Sequence, residues 1–152
     1  TASDVLGGVA TVIGRRVIVV GGGFIGVETA DFLWERGKQV TIIEMLPRIG
    51  YNIGAVTLHA TLYRRLRGRG VGLLSSTKLE EITGKGVVVS RDGKRQTLDA
   101  DTVVLAMGAE PCKELAKQLE GKVPELHVIG DCVEPRKALE AIHEGWDVGR
   151  TI

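Results

Sequence analysis

The stretch Val17-Ile18-Val19-Val20-Gly21-Gly22-Gly23-Phe24-Ile25-Gly26 constrains this chain more than any other. Four β-branched apolar residues run into glycines spaced G-x-G-x-x-G, and an amphipathic segment follows. A second apolar run, Val40-Thr41-Ile42-Ile43, delivers an acid, Glu44, at its tip. Strand, tight turn, helix, parallel strand and acid come in the order that gripping a dinucleotide requires. Gly21 permits the strand-to-helix turn, Gly23 lets backbone N–H groups approach a pyrophosphate, and Gly26 lets helix and strand pack closely. The pyrophosphate would sit at the helix N-terminus, where unpaired N–H groups and the dipole favour an anion. Glu44 would accept hydrogen bonds from the adenosine ribose hydroxyls. A turn whose glycines serve packing alone, and a solvated carboxylate at a strand end, are the plainer alternatives. The combination favours the ligand.

The remaining elements follow from periodicity. Residues 17–20, apolar on both faces, make a central parallel strand, and residues 24–36 a helix that Gly37 ends. Residues 39–44 form the second strand, 54–68 a helix with Val56, Leu58, Leu62 and Leu66 on one face, and 71–75 a third short strand. The texture then changes. Residues 78–82, 86–91 and 95–98 are short alternating runs separated by Gly84 and Asp92-Gly93, the pattern of an antiparallel meander. Residues 102–107 return to a buried parallel strand, 113–120 are helical, 126–129 read as another buried strand, and a last helix begins near Arg136. The expected fold class is α/β: a Rossmann-like three-layer arrangement with a central parallel sheet and an inserted antiparallel meander. The expected division is a lead-in segment at 1–14, a nucleotide-binding domain at 15–108 and a tail at 109–152.

Bulk properties exclude several classes. A formal charge of +1 in 152 residues argues against a nucleic-acid or membrane-surface protein. No apolar stretch is long enough to span a membrane, and no signal peptide opens the chain, so a cytoplasmic protein is expected. Thr1 in place of Met reads as the start of a piece of something longer. Cys112 and Cys132 form no CxxC, and His59, His127 and His143 show no metal spacing, so free thiols and no metal site are expected. His127, alternating within an apolar run, reads as a hydrogen-bonded core histidine. The cluster Arg64, Arg65, Arg67 and Arg69 reads as a solvated helix end complementing the dipole, with a phosphate contact as its alternative.

The succession GGGFIGVE, Glu44, meander, TVVLAMGAEP and ELHVIGDCVEPRKALEAIHEGWDVGR resembles the two-dinucleotide-binding-domain flavoproteins. More narrowly, it resembles the C-terminal part of bacterial NADH:flavin oxidoreductases of the 2,4-dienoyl-CoA reductase and trimethylamine dehydrogenase type. The stretch from Gly130 to Arg150 is the most family-specific. The resemblance implies a parent protein with a barrel carrying FMN and an iron–sulfur cluster, then an FAD domain into which an NAD(P) domain is inserted. This chain would be that insert plus the FAD domain's final strand and helix. By the same resemblance Glu28 lies near the nicotinamide end, Gly108 marks the return to the FAD domain, and Asp131 sits where the family bonds the FAD ribityl chain. Fingerprint and resemblance together nominate Gly21, Gly22, Gly23, Phe24, Ile25, Gly26, Glu28, Glu44, Met45, Arg48, Gly108 and Asp131 as cofactor-binding, with no catalytic residue.

The first FAD fingerprint, the barrel and the cysteine cluster are absent from this sequence. The chain is therefore expected to bind a nicotinamide dinucleotide and to catalyse nothing alone, with FAD bound only in the parent. A carboxylate at Glu44 favours NAD over NADP, while Arg48 keeps NADP open. The tail's apolar face, with Leu139, Ile142 and Trp146, is expected to fold back or to form a homodimer. A non-catalytic nucleotide-binding module, or part of a disulfide or ferredoxin reductase, are the other readings.

Overall fold

A computed structural model describes residues 1–54 and 56–152, and the side chains of 56–58 lie outside the described set. Ala55, Val56 and Leu58, placed by periodicity in the second long helix, therefore fall partly outside it. The chain divides into two compact units, Thr1–Met107 and Gly108–Ile152.

In the first unit the elements are α1 (Ala2–Leu6), β1 (Arg16–Val20), α2 (Phe24–Glu35), β2 (Gln39–Ile43), α3 (Val56–Gly68) and β3 (Gly72–Leu74). A meander of β4 (Thr77–Thr83), β5 (Gly86–Arg91) and β6 (Lys94–Asp99) precedes β7 (Thr102–Leu105). Four strands form a parallel sheet in the order β3-β2-β1-β7, and the meander is a separate antiparallel sheet. Alternation along β1 explains the layers. Val17 and Val19 face a helical layer holding Val27, Ala30, Leu33 and Leu66. Ile18 and Val20 face the opposite way, onto Val87 and Val89 of the meander. β1 is thus buried on both faces, as its unbroken apolar run demands. The Asp92-Gly93 turn has φ of +50° and +74°, the left-handed pair that a two-residue hairpin loop needs.

Helix α1 occupies the lead-in segment, where no periodicity is visible. A capping box between Thr1 and Asp4 starts it, and Ala2 and Val5 join the core. Five residues are too few to display a helical period. Arg16 ties the start of β1 to the β6–β7 turn, donating to Asp101 through Nη2 at 2.7 Å, Nε at 3.1 Å and its backbone N–H at 2.8 Å. These bonds hold the Asp101 carboxyl down to about 2.

The second unit contains α4 (Glu114–Leu119), a 3₁₀ turn (Gly130–Cys132) and α5 (Ala138–Gly149). Residues 126–129 are not a strand, which corrects the expectation. Apolar β-branched residues become a strand only beside a partner ladder, and none pairs with them among the described residues. His127 is correspondingly exposed rather than in the core, and its Nε2 bonds Glu125 at 2.6 Å. No residue of α5 is buried, and Ile142 and Trp146 are each about two-thirds exposed. Both cysteines are free and exposed.

Candidate functional site

The turn from β1 into α2 is shaped by what cannot fit there. Gly21 takes φ +105°, and a Cβ on it would stand 2.4 Å from the Ala106 carbonyl oxygen. A Cβ on Gly26 would stand 1.9 Å from the Gly21 carbonyl oxygen, so the first turn of α2 rests directly on the strand end. Gly22 is walled by Glu44 and Ile49, whose nearest atoms would lie 2.9 and 3.0 Å from its Cβ. Gly23 differs: the atoms nearest to its added Cβ would be those of the Asn52 side chain, at 3.3 Å or more. The turn lies at the carboxyl end of β1, between β2 and β7, where the chain order of the sheet reverses, the usual ligand position in open α/β sheets.

Gly23 is the N-cap of α2, and having no side chain it provides no cap bond. The first intrahelical bond runs from the Val27 N–H to the Gly23 carbonyl at 3.0 Å. Among the described residues no acceptor meets the N–H groups of Gly23, Ile25 or Gly26. The Phe24 N–H is different, donating to Asn52 Oδ1 at 2.8 Å. A glycine cradle with open donors at a helix N-terminus fits the pyrophosphate of a dinucleotide.

Glu44 lies at the tip of β2 with only 6% of its surface exposed. Its Oε2 accepts the Gly22 N–H at 2.7 Å and its Oε1 the Leu46 N–H at 2.8 Å. The carboxylate therefore buckles the glycine turn to the loop after β2, a role that sequence spacing does not reveal. Each oxygen keeps a lone pair for a further donor. That loop closes onto the turn at a second point, the Gly50 N–H donating to the Gly22 carbonyl at 2.5 Å. His59 Nε2 bonds the Ile49 carbonyl at 2.8 Å, and Ile49 and Ile53 are buried in the core.

The structure brings Gly21, Gly22, Gly23, Phe24, Ile25, Gly26 and Glu44 into one constellation. Ile25 is half exposed, and Glu28 is exposed on the next turn of α2. Met45 and Arg48 are exposed on the β2–α3 loop. Gly108, at φ +106°, and Asp131 belong to the second unit. There the Gly130 N–H donates to Glu144 Oε2 at 2.5 Å, Arg136 pairs with Glu144, and the Arg136 N–H reaches Asp131 Oδ1 at 3.3 Å. The stretch from Gly130 to Arg136 and the helix that follows are thus one bonded set joined through Glu144, which lies inside the family-specific stretch but whose bonding role the resemblance does not give. Arg65 is exposed in the last turn of α3, as a solvated helix end requires, but it and the less exposed Arg69 are also paired across to α2. Arg65 and Arg69 both pair with Asp31 and Glu35 of α2, and the Arg69 guanidinium lies 4.4 Å over Trp34.

Parallel sheet, glycine turn and buried strand-tip acid define a Rossmann-like nucleotide-binding domain. Residues 3–145 match the family model described as pyridine nucleotide-disulphide oxidoreductase, and the chain belongs to that family. A metal reductase of Desulforamulus reducens is 36% identical over 96% of this chain and 26% of its own length. An NADH oxidase of Thermoanaerobacter brockii is 36% identical over 88% of this chain and 21% of its own. The solved structure of a 2-naphthoyl-CoA reductase in complex with 2-naphthoyl-CoA superposes with a TM-score of 0.87 at 33% identity, covering 98% of this chain and 23% of that one. Histamine dehydrogenase from Rhizobium sp. 4-9 shares the fold, with a TM-score of 0.89 at 17% identity over 99% of this chain and 25% of that one. The chain spans about a quarter of the length of these proteins.

Proposed function

We propose that this chain is the nicotinamide-cofactor-binding region of a larger NADH:flavin oxidoreductase of the 2,4-dienoyl-CoA reductase and trimethylamine dehydrogenase type. The observation that carries the proposal is the cradle itself: open N–H groups at Gly23 and Ile25, no side chain in the way, and Glu44 alongside. In the whole protein the nicotinamide supplies a hydride to FAD, with FMN and an iron–sulfur cluster beyond it. This chain's residues bind and orient. The glycine turn receives the pyrophosphate, and the remaining Glu44 lone pairs receive the adenosine ribose hydroxyls. A carboxylate there repels a 2′-phosphate, so NADH is preferred to NADPH. The resemblance of residues 109–152 to the end of an FAD domain, and the division into units at Gly108, support a border between two nucleotide domains there.

An anaerobic titration of the whole protein tests this. NADH should bleach the flavin absorbance, NADPH should do so far less well, and iron with acid-labile sulfide should copurify. A whole protein lacking flavin, or holding flavin that neither nucleotide reduces, contradicts the proposal.

A further inference from the structure

A phosphate-binding turn creates a conflict at the start of α2. Close approach of an anion requires glycine at the N-cap, yet glycine has no oxygen with which to cap the helix. The acceptor comes instead from 28 residues away, since Asn52 Oδ1 takes the Phe24 N–H at 2.8 Å. Asn52 is held for this by its own loop. Gly50 bonds back to Gly22, His59 bonds the Ile49 carbonyl, and Ile49 and Ile53 anchor both sides in the core.

Resting on the nucleotide-binding reading above, we infer that Asn52 is a positioning residue that presets the anion site. It satisfies the Phe24 N–H, fixes the first turn of α2, and leaves the Gly23 and Ile25 N–H groups as the donors for the pyrophosphate. The choice of an amide matters. A carboxylate would cap a helix N-terminus as well or better, but it would set a negative charge beside the ligand's own. A neutral oxygen caps without repelling.

The test is calorimetric titration of this chain, as wild type, Asn52→Ala and Asn52→Asp, with NADH at low and high salt, beside thermal melting of each. Asn52→Asp should melt within a few degrees of wild type yet bind NADH about tenfold more weakly at low salt, the deficit shrinking as salt screens the repulsion. Asn52→Ala should bind about three- to tenfold more weakly with little salt dependence, because a cap is lost without a charge being added. An Asn52→Asp variant that binds NADH as wild type does overturns the inference, as does an Asn52→Ala variant of unchanged affinity. Both leave the nucleotide-binding reading intact. A wild-type chain that binds no NADH overturns that reading, and the inference with it.

Discussion

Replacing Gly26 by alanine probes the packing that makes the site. The added Cβ would lie 1.9 Å from the Gly21 carbonyl oxygen and 3.0 Å from its carbon. Both are backbone atoms of a residue that is itself hydrogen-bonded to the Ile43 carbonyl at 2.9 Å, so neither can swing aside. Ordinary contact begins near 3.4 Å, and the first turn of α2 must retreat by about 1.5 Å to regain it. Overpacking of this kind costs about 2–3 kcal/mol, which lowers the melting temperature of a unit this size by about 10 °C. The same retreat carries the Gly23 and Ile25 N–H groups away from any anion placed at hydrogen-bond distance. A bond stretched from about 2.9 Å beyond 4 Å is lost, and affinity for NADH should fall at least about tenfold. Thermal melting and NADH titration of Gly26→Ala read the two effects separately. A variant that melts and binds like wild type would refute the packing account of the third glycine.

Three other perturbations separate the remaining claims. Glu44→Gln keeps one acceptor oxygen but turns an amide N–H₂ toward one of the two backbone donors, so urea unfolding should show a loss of about 2 kcal/mol; an unchanged midpoint contradicts the buckle. Asp101→Asn tests the tie to Arg16. The Asp101 pKa is lowered from 3.8 to about 2 on folding, so its contribution is whole above pH 3.8 and disappears as pH falls through 2. The stability gap between wild type and Asp101→Asn should hold near neutral pH and close by about pH 2, and a gap that persists there refutes it. Gly68→Ala, at the end of α3 with nothing within 4 Å of its Cβ, should stabilise the chain by about 0.5–1 kcal/mol, measured by the same unfolding.

Local pattern carried the first unit because its determinants are local. The run 17–20 buries both faces of a central strand, three glycines fix the turn, and Asp92-Gly93 dictates a hairpin, each within a few residues of the structure it causes. What escaped depends on distant partners. Asn52 caps a helix that begins at Phe24, and nothing in a loop asparagine announces its acceptor role. Glu44 signals a ligand contact by its place at a strand tip, while its bonds to Gly22 and Leu46 emerge only when the loop closes. Arg65 and Arg69 look like a solvated run until α3 lies against the acids of α2. In the second unit, residues 126–129 carry strand composition, but composition does not supply a neighbouring ladder, and His127 follows them to the surface. Glu144 lies within the family-specific stretch, yet its bond to Gly130 emerges only when that turn folds against the helix.

The central claim is that the glycine turn and Glu44 grip a nicotinamide dinucleotide, and calorimetric titration of the chain with NADH tests it most directly. Saturable binding of one NADH per chain, with NADPH weaker, is the expected result. Absence of binding at millimolar NADH by the folded chain would contradict it.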